Sequence, residues 1–182
     1  MNTPSEKLTA WLDAARDYTP TDWERLPELE LYMDQVITLM DRQLVPFTLG
    51  EEKLLTPSMI NNYVKDGVLP RPVRKKYSRE HLGRLMMICL LKQAISLPEI
   101  RSVLAGLTDG EPLPEMEAVY ADFSERQSRA LRDAAAAVEA AGCQSREDWL
   151  RTAMTLALEA NARRIAAARI IDALSDDPEK TE

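Results

Sequence analysis

Residues 56–79 read TPSMINNYVKDGVLPRPVRKKYSR, and the fold turns on how this stretch is parsed. Thr56 is a natural helix N-cap. Pro57 suits the first helical position, where its missing N–H removes no helical bond. Ser58 to Asp66 then make about two turns. Gly67 supplies a left-handed exit. Pro70 and Pro72 forbid a helix across residues 68–73. Arg74-Lys75-Lys76-Tyr77 predicts a short extended ribbon, and Ser78 caps another helix running to about Ile95.

In the 57–66 helix, Ile60 and Val64 face inward, with Met59 and Tyr63 beside them. Spacings of three and four place Ser58, Asn61 and Lys65 on one outward stripe, with Asn62 next to it. Asn pairs bidentately with adenine in a major groove, and Ser contacts base or phosphate. Lys65, at the helix end, is placed for phosphate. Arg71, Arg74, Lys75 and Lys76 would neutralise further phosphates and release counterions. Tyr77 would bond a phosphate or close the ribbon onto the core, and core packing is the favoured role. Thr56 and Arg79, at the two ends of the stretch, complete this candidate DNA-binding set.

Charge distribution supports a local anionic partner. The chain of 182 residues carries −7 overall. Between Asn61 and Lys92, eight basic residues (Lys65, Arg71, Arg74, Lys75, Lys76, Arg79, Arg84, Lys92) face only Asp66 and Glu80, a net +6. The remainder holds 15 basic and 28 acidic residues, a net −13. A basic island in an acidic body is an electrostatic footprint.

Working outward, composition and periodicity predict an all-α protein, rich in Leu, Ala, Met, Glu and Arg. A short helix is expected over 4–18, and another over 27–44 with Met33, Val36, Ile37, Met40 and Leu44 on one face. A polar loop spans Thr48–Lys53. The helix after Ser78 buries Leu82, Leu85, Met86, Cys89 and the stem of Lys92. Ser96-Leu97-Pro98-Glu99 is a capping box opening a helix with Ile100, Val103, Leu104 and Leu107. Residues 106–114 form a linker. Two long helices follow, 115–141 and 146–174, separated by Gly142 and capped by Ser145 with Asp148. The expected organisation is an N-terminal helical extension (1–26), a helix-turn-helix domain (27–108), a C-terminal helical hairpin (115–174) and a disordered tail (175–182). The long Ala and Leu stripes suit pairing with a second subunit as a homodimer, although Arg163 and Arg164 interrupt a strict zipper.

Enzyme chemistry finds no footing. His81 is the sole histidine, and its place near a helix start suits a surface or capping role. No Ser-His-Asp or Cys-His set is recognisable, and the six glycines are too scattered for a phosphate-cradling loop. Cys89 sits in an apolar run and Cys143 in a turn, so neither a metal nor a cofactor is expected. Two isolated cysteines, no basic-then-apolar leader and no run of 18 apolar residues predict a cytoplasmic protein without a membrane span.

Four segments in fixed order resemble the MerR DNA-binding domain: Thr56–Tyr63, Gly67–Pro72, Lys75–Ser78 and Ile95–Ile100. That family reads as a recognition helix ending in Tyr, a Gly-Leu-Leu-Pro-Pro-like turn, a basic wing ending in Arg-x-Tyr, and a helix pair joined by Ser-Leu-x-Glu-Ile. With Leu31–Val36 upstream, the chain also resembles uncharacterised bacterial proteins given MerR-like status. The resemblance implies a winged helix-turn-helix, binding of double-stranded DNA, transcriptional regulation and dimerisation through C-terminal helices. Departures fall at the readout positions. Asn61 stands where an Arg is usual and Asn62 where a Tyr is frequent. The wing is shorter, Lys75 replaces its usual Arg, and the turn between the first two helices has about ten residues against the usual three or four. The alternative function is a protein-interaction or adaptor module that keeps this fold.

Overall fold

In the computed structural model, residues 6–48, 53–108 and 115–175 are described. They form α1 (Glu6–Arg16), α2 (Met33–Gln43), α3 (Pro57–Lys65), α4 (Arg79–Leu91), α5 (Leu97–Thr108), α6 (Met116–Ala140) and α7 (Arg146–Ser175). Two 3-10 turns, Trp23–Arg25 and Val45–Phe47, flank α2. Among the described residues there is no strand, only isolated antiparallel bridges between Leu31 and Tyr77 and between Val73 and Lys76. The architecture is all-helical. Most of the polar loop (49–52), of the linker (109–114) and of the tail (176–182) lies outside the described residues.

Capping sets several helix boundaries. The Met59 N–H donates to Thr56 Oγ1 at 3.3 Å at the start of α3. Gly67, at φ +69°, leaves the helix, and the Val68 and Leu69 N–H groups both donate to the Tyr63 carbonyl at 2.9 and 3.0 Å. At α5, the Ser96 N–H and Oγ donate to Glu99 Oε2 at 2.7 and 2.6 Å. At α7, the Ser145 N–H and Oγ each donate to Asp148 Oδ2 at 2.8 Å. The Ser145 hydroxyl and the backbone amides of Gln144 and Ser145 hold that carboxyl below its usual range.

Other boundaries follow from tertiary pairing. The helix expected from residue 27 begins only at Met33. The Leu31 N–H and C=O are both bonded to Tyr77, at 2.9 and 2.8 Å, so the preceding segment stays extended. The extended ribbon expected at 74–77 is instead a two-residue turn. Lys76 N–H donates to the Val73 carbonyl at 2.9 Å, and Arg74 and Lys75 between them take φ +51° and +63°. Positive φ at both central residues is the signature of a type I′ hairpin.

The chain divides into two compact units. One is Pro20–Glu125, built around α4. That helix buries His81, Leu82, Gly83, Leu85, Met86, Met87, Ile88 and Cys89. An enclosed helix of this kind needs apolar neighbours on every side. The same apolar cluster holds Val36 and Met40 of α2, Ile60 and Tyr63 of α3, Ile100 and Leu104 of α5, and Tyr120 of α6. This unit starts earlier and ends later than the 27–108 span expected from sequence. The reason is a notch at Gly83. A Cβ there would lie 2.9 Å from the Trp23 ring and 3.2 Å from the Tyr120 ring. The two rings stand 5.6 Å apart, and the Tyr120 hydroxyl donates to the Thr21 carbonyl at 3.0 Å. Both ends of the unit therefore meet on α4.

The other unit combines Met1–Thr19 with Arg126–Glu182. Within it, Ala15 of α1 is fully buried, and Ser128, Leu131, Ala135 and Val138 of α6 form a buried stripe at three- and four-residue spacing. Arg16 of α1 pairs with Glu139 of α6. No residue of α7 is buried.

Gly83→Ala tests the notch. Helix propensity alone favours Ala by about 1 kcal/mol. Forcing a methyl group against two rigid rings costs about 1–3 kcal/mol. The steric effect is expected to win, so calorimetric melting should show a less stable protein. A melting temperature at or above wild type would mean that the rings move aside freely.

Candidate functional site

The outward stripe of α3 is formed as expected. Ser58, Asn61, Asn62 and Lys65 are all exposed, while Ile60 and Tyr63 are buried and Met59 and Val64 half-buried. Burial pushes the Tyr63 hydroxyl up to about 12, so it stays protonated. The stripe therefore presents a hydroxyl, two amides and one ammonium from a helix anchored by its opposite face.

The basic residues are not one patch. Arg74 and Lys75 stand exposed at the tip of the 73–76 hairpin. Lys76 is half-buried with its Nζ 5.7 Å from the centre of the exposed Tyr32 ring. Arg71 is exposed in the turn after α3. Two members of the island are committed elsewhere. Arg79 donates from Nε to the Leu26 carbonyl at 3.1 Å, lies 3.3 Å from Glu28 and covers the Trp23 ring at 6.0 Å. Lys92 donates to the Leu54 carbonyl at 2.6 Å and lies 3.4 Å from the Met59 sulfur. Those two cations fasten the unit together and are not presented to an outside ligand.

Two further members of the expected set do structural work. Thr56 is half-buried as the α3 cap. Tyr77 is 3% exposed and packs edge-on to His81, with ring centres 5.7 Å apart. Its ring belongs to the core, and its backbone carries the bridge to Leu31. His81 itself serves as a cap, accepting from the Ser78 N–H at Nδ1 over 3.1 Å. Burial lowers its pKa, opposed by the nearby Arg71 and Pro70 carbonyls, which keeps the ring neutral at pH 7.

Sequence reading did not connect Arg101 to this region. Its guanidinium lies over Gly67, 3.8 Å from where a Cβ would stand. No local motif announces that approach, because 34 residues separate the two positions. Cys89 is buried with its thiol pushed up to about 12 by burial, which leaves it unreactive. Cys143 is half-buried, with its sulfur 3.3 Å from the Thr152 hydroxyl. Among the described residues no group of His, Cys, Asp or Glu is arranged to hold a metal ion, and no helix is long and apolar enough to cross a membrane.

A family model described as a domain of unknown function, DUF1836, matches residues 21–123. The chain belongs to the DUF1836 family. No curated protein and no solved structure matches it. The DUF1836 span nearly coincides with the Pro20–Glu125 unit, so the family boundary is also a packing boundary. It takes in the Thr21 carbonyl, Trp23 and Tyr120, the groups that close the unit on Gly83.

Within this DUF1836 unit the hairpin tip holds two residues in a conformation that L side chains avoid. Left-handed backbone costs a non-glycine residue roughly 1–2 kcal/mol. Asn-Gly is the sequence that such a tip favours. Arg74→Asn with Lys75→Gly should therefore raise the unfolding free energy by about 1 kcal/mol, after allowing for glycine's greater unfolded-state entropy. Urea unfolding would measure it, and an unchanged or lower midpoint would show that the tip is not strained.

Proposed function

We propose that this protein is a DNA-binding transcriptional regulator built on a MerR-like winged helix-turn-helix. In this reading α2 and α3 are the helix pair, α3 is the recognition helix and the 73–76 hairpin is the wing. The observation that carries it is the pairing of two features within one unit. The first is the exposed Ser58, Asn61, Asn62 and Lys65 stripe. The second is a hairpin that holds Arg74 and Lys75 outward at a strained tip. Strain of this kind persists where surrounding structure over-determines it, commonly at binding sites. A solvated surface with no ligand to meet would do better with Asn-Gly.

Each contact has a chemical role. Asn61 and Asn62 suit bidentate bonding to adenine edges, and Ser58 suits a base or phosphate. Lys65, Arg74, Lys75 and Lys76 suit backbone phosphates, where they would supply affinity and orientation. Arg79, Tyr77 and Thr56 act by holding α3 and the hairpin in place.

A second copy of the chain is the proposed protein partner. Leu150, Met154, Leu158 and Ile165 are exposed at spacings that put them on one stripe of α7. The helix has 30 residues, or about 45 Å of length. Its first half carries Glu147, Asp148 and Glu159 against Arg146 and Arg151, and its second half carries Arg163, Arg164 and Arg169 against Asp172. Antiparallel self-pairing sets the acidic half against the basic one.

Anisotropy titrations with genomic duplex fragments at low salt test the DNA reading. Wild type should bind with log affinity falling steeply against log salt, by roughly 0.9 per neutralised phosphate. Arg74→Ala, Lys75→Ala and Lys76→Ala together should lower the slope by about 2–3 and weaken binding to all sequences alike. No retention of any duplex by wild type, or an unaltered slope in the triple variant, defeats the reading. For the partner, Met154→Glu with Leu158→Glu should convert a dimer to a monomer in sedimentation equilibrium; a monomeric wild type removes the dimer.

A further inference from the structure

We propose that a groove beside the C-terminal end of α3 is a second anion site, one that takes a phosphate group. The groove has a volume of about 550 Å³. Lys65 from the end of α3, Arg71 from the following turn, Arg84 from α4 and Arg101 from α5 all line it. Leu69 and Leu104 provide part of its apolar wall. Among the described residues no carboxylate lines it. Asp66 lies on the neighbouring cleft, which shares Arg101.

Three helices and a turn converge to place these four cations. Among the described residues none of the four enters an ion pair. A duty to the helix end does not explain them. Three of the last four carbonyls of α3 are already bonded: Asn62 to the Asp66 N–H, Tyr63 to the Val68 and Leu69 N–H groups, and Val64 to the Gly67 N–H. No carbonyl in that set waits for a cationic cap. Like charges gathered on a partly apolar wall repel one another, and a multivalent anion relieves that repulsion. Guanidinium groups match phosphate oxygens in pairs, and the half-buried Arg84 gives the site a less solvated end. The volume falls within the roughly 300–1,000 Å³ typical of small-ligand sites.

The phosphate has two conceivable sources, a free phosphorylated small molecule or a duplex backbone, and the test separates them. Inorganic pyrophosphate is titrated calorimetrically into the full chain at low salt, and duplex affinity is measured against salt in parallel. With a free ligand, pyrophosphate binds wild type, R84Q/R101Q weakens it at least tenfold, and R74A/K75A leaves it unchanged. With a duplex phosphate, pyrophosphate fails to bind while R84Q/R101Q reduces the salt slope of duplex binding by about 2. If R84Q/R101Q does not fold, R71Q/R101Q alters two exposed groove positions outside the α3 stripe and carries the same readouts. The site is overturned if pyrophosphate and duplex affinities both ignore these changes in a folded variant. Failure of wild type to bind any duplex would defeat the regulator reading and leave the pyrophosphate arm intact.

Discussion

Helix α4 is buried on nearly every side, and its neighbours must fit around it without a solvent face to absorb error. Gly83 is where that constraint is tightest. The missing side chain lets Trp23 and Tyr120 approach together, so the start and end of the Pro20–Glu125 unit close on one point. Several other parts of the unit are fastened to that helix. Tyr77 reaches it through His81, Lys92 at its far end holds Leu54 and Met59, and Arg79 at its near end holds Leu26 and Glu28. α3 and the hairpin are thus mounted on a rigid support rather than on a loop.

That mounting divides the basic island by task. A cation that bonds a buried carbonyl loses its freedom and gives the fold orientation, as Arg79 and Lys92 do. Arg74 and Lys75 keep their charge in solvent because the turn beneath them is fixed at both ends, by Val73–Lys76 and by Leu31–Tyr77. Lys65, Arg71 and Arg84 meet Arg101, which lies outside the island in sequence. A net charge computed over a window cannot distinguish these fates, since each depends on what the side chain meets across the fold.

The second unit follows a different logic. α1 and α6 bury small residues, Ala15 and Ala135 among them, which permits close approach of helices. α7, of 30 residues, instead leaves most of its large apolar residues exposed, while Trp149, Leu156 and Ile171 are half-buried. An isolated helix gains little from propensity alone, and most helical stability in proteins comes from packing an apolar face. The stripe on α7 is therefore the feature of this unit most in need of a partner.

The sequence by itself determined what depends on neighbours within about four residues. The all-helical class, the caps at Thr56, Ser96 and Ser145, the exit at Gly67 and the outward face of α3 are of this kind, because capping bonds and helical periodicity are local. Tertiary structure alone decided the rest. Helix α2 starts at Met33 because Leu31 is claimed by Tyr77, 46 residues away. Tyr77 enters the core and Arg79 turns to Leu26 because α4 offers those places. Arg74 and Lys75 take left-handed backbone because both ends of their turn are already paired. The meeting of Arg101 with Lys65, Arg71 and Arg84 has no local signal, since side chains far apart in sequence share a groove only after the helices that bear them have packed.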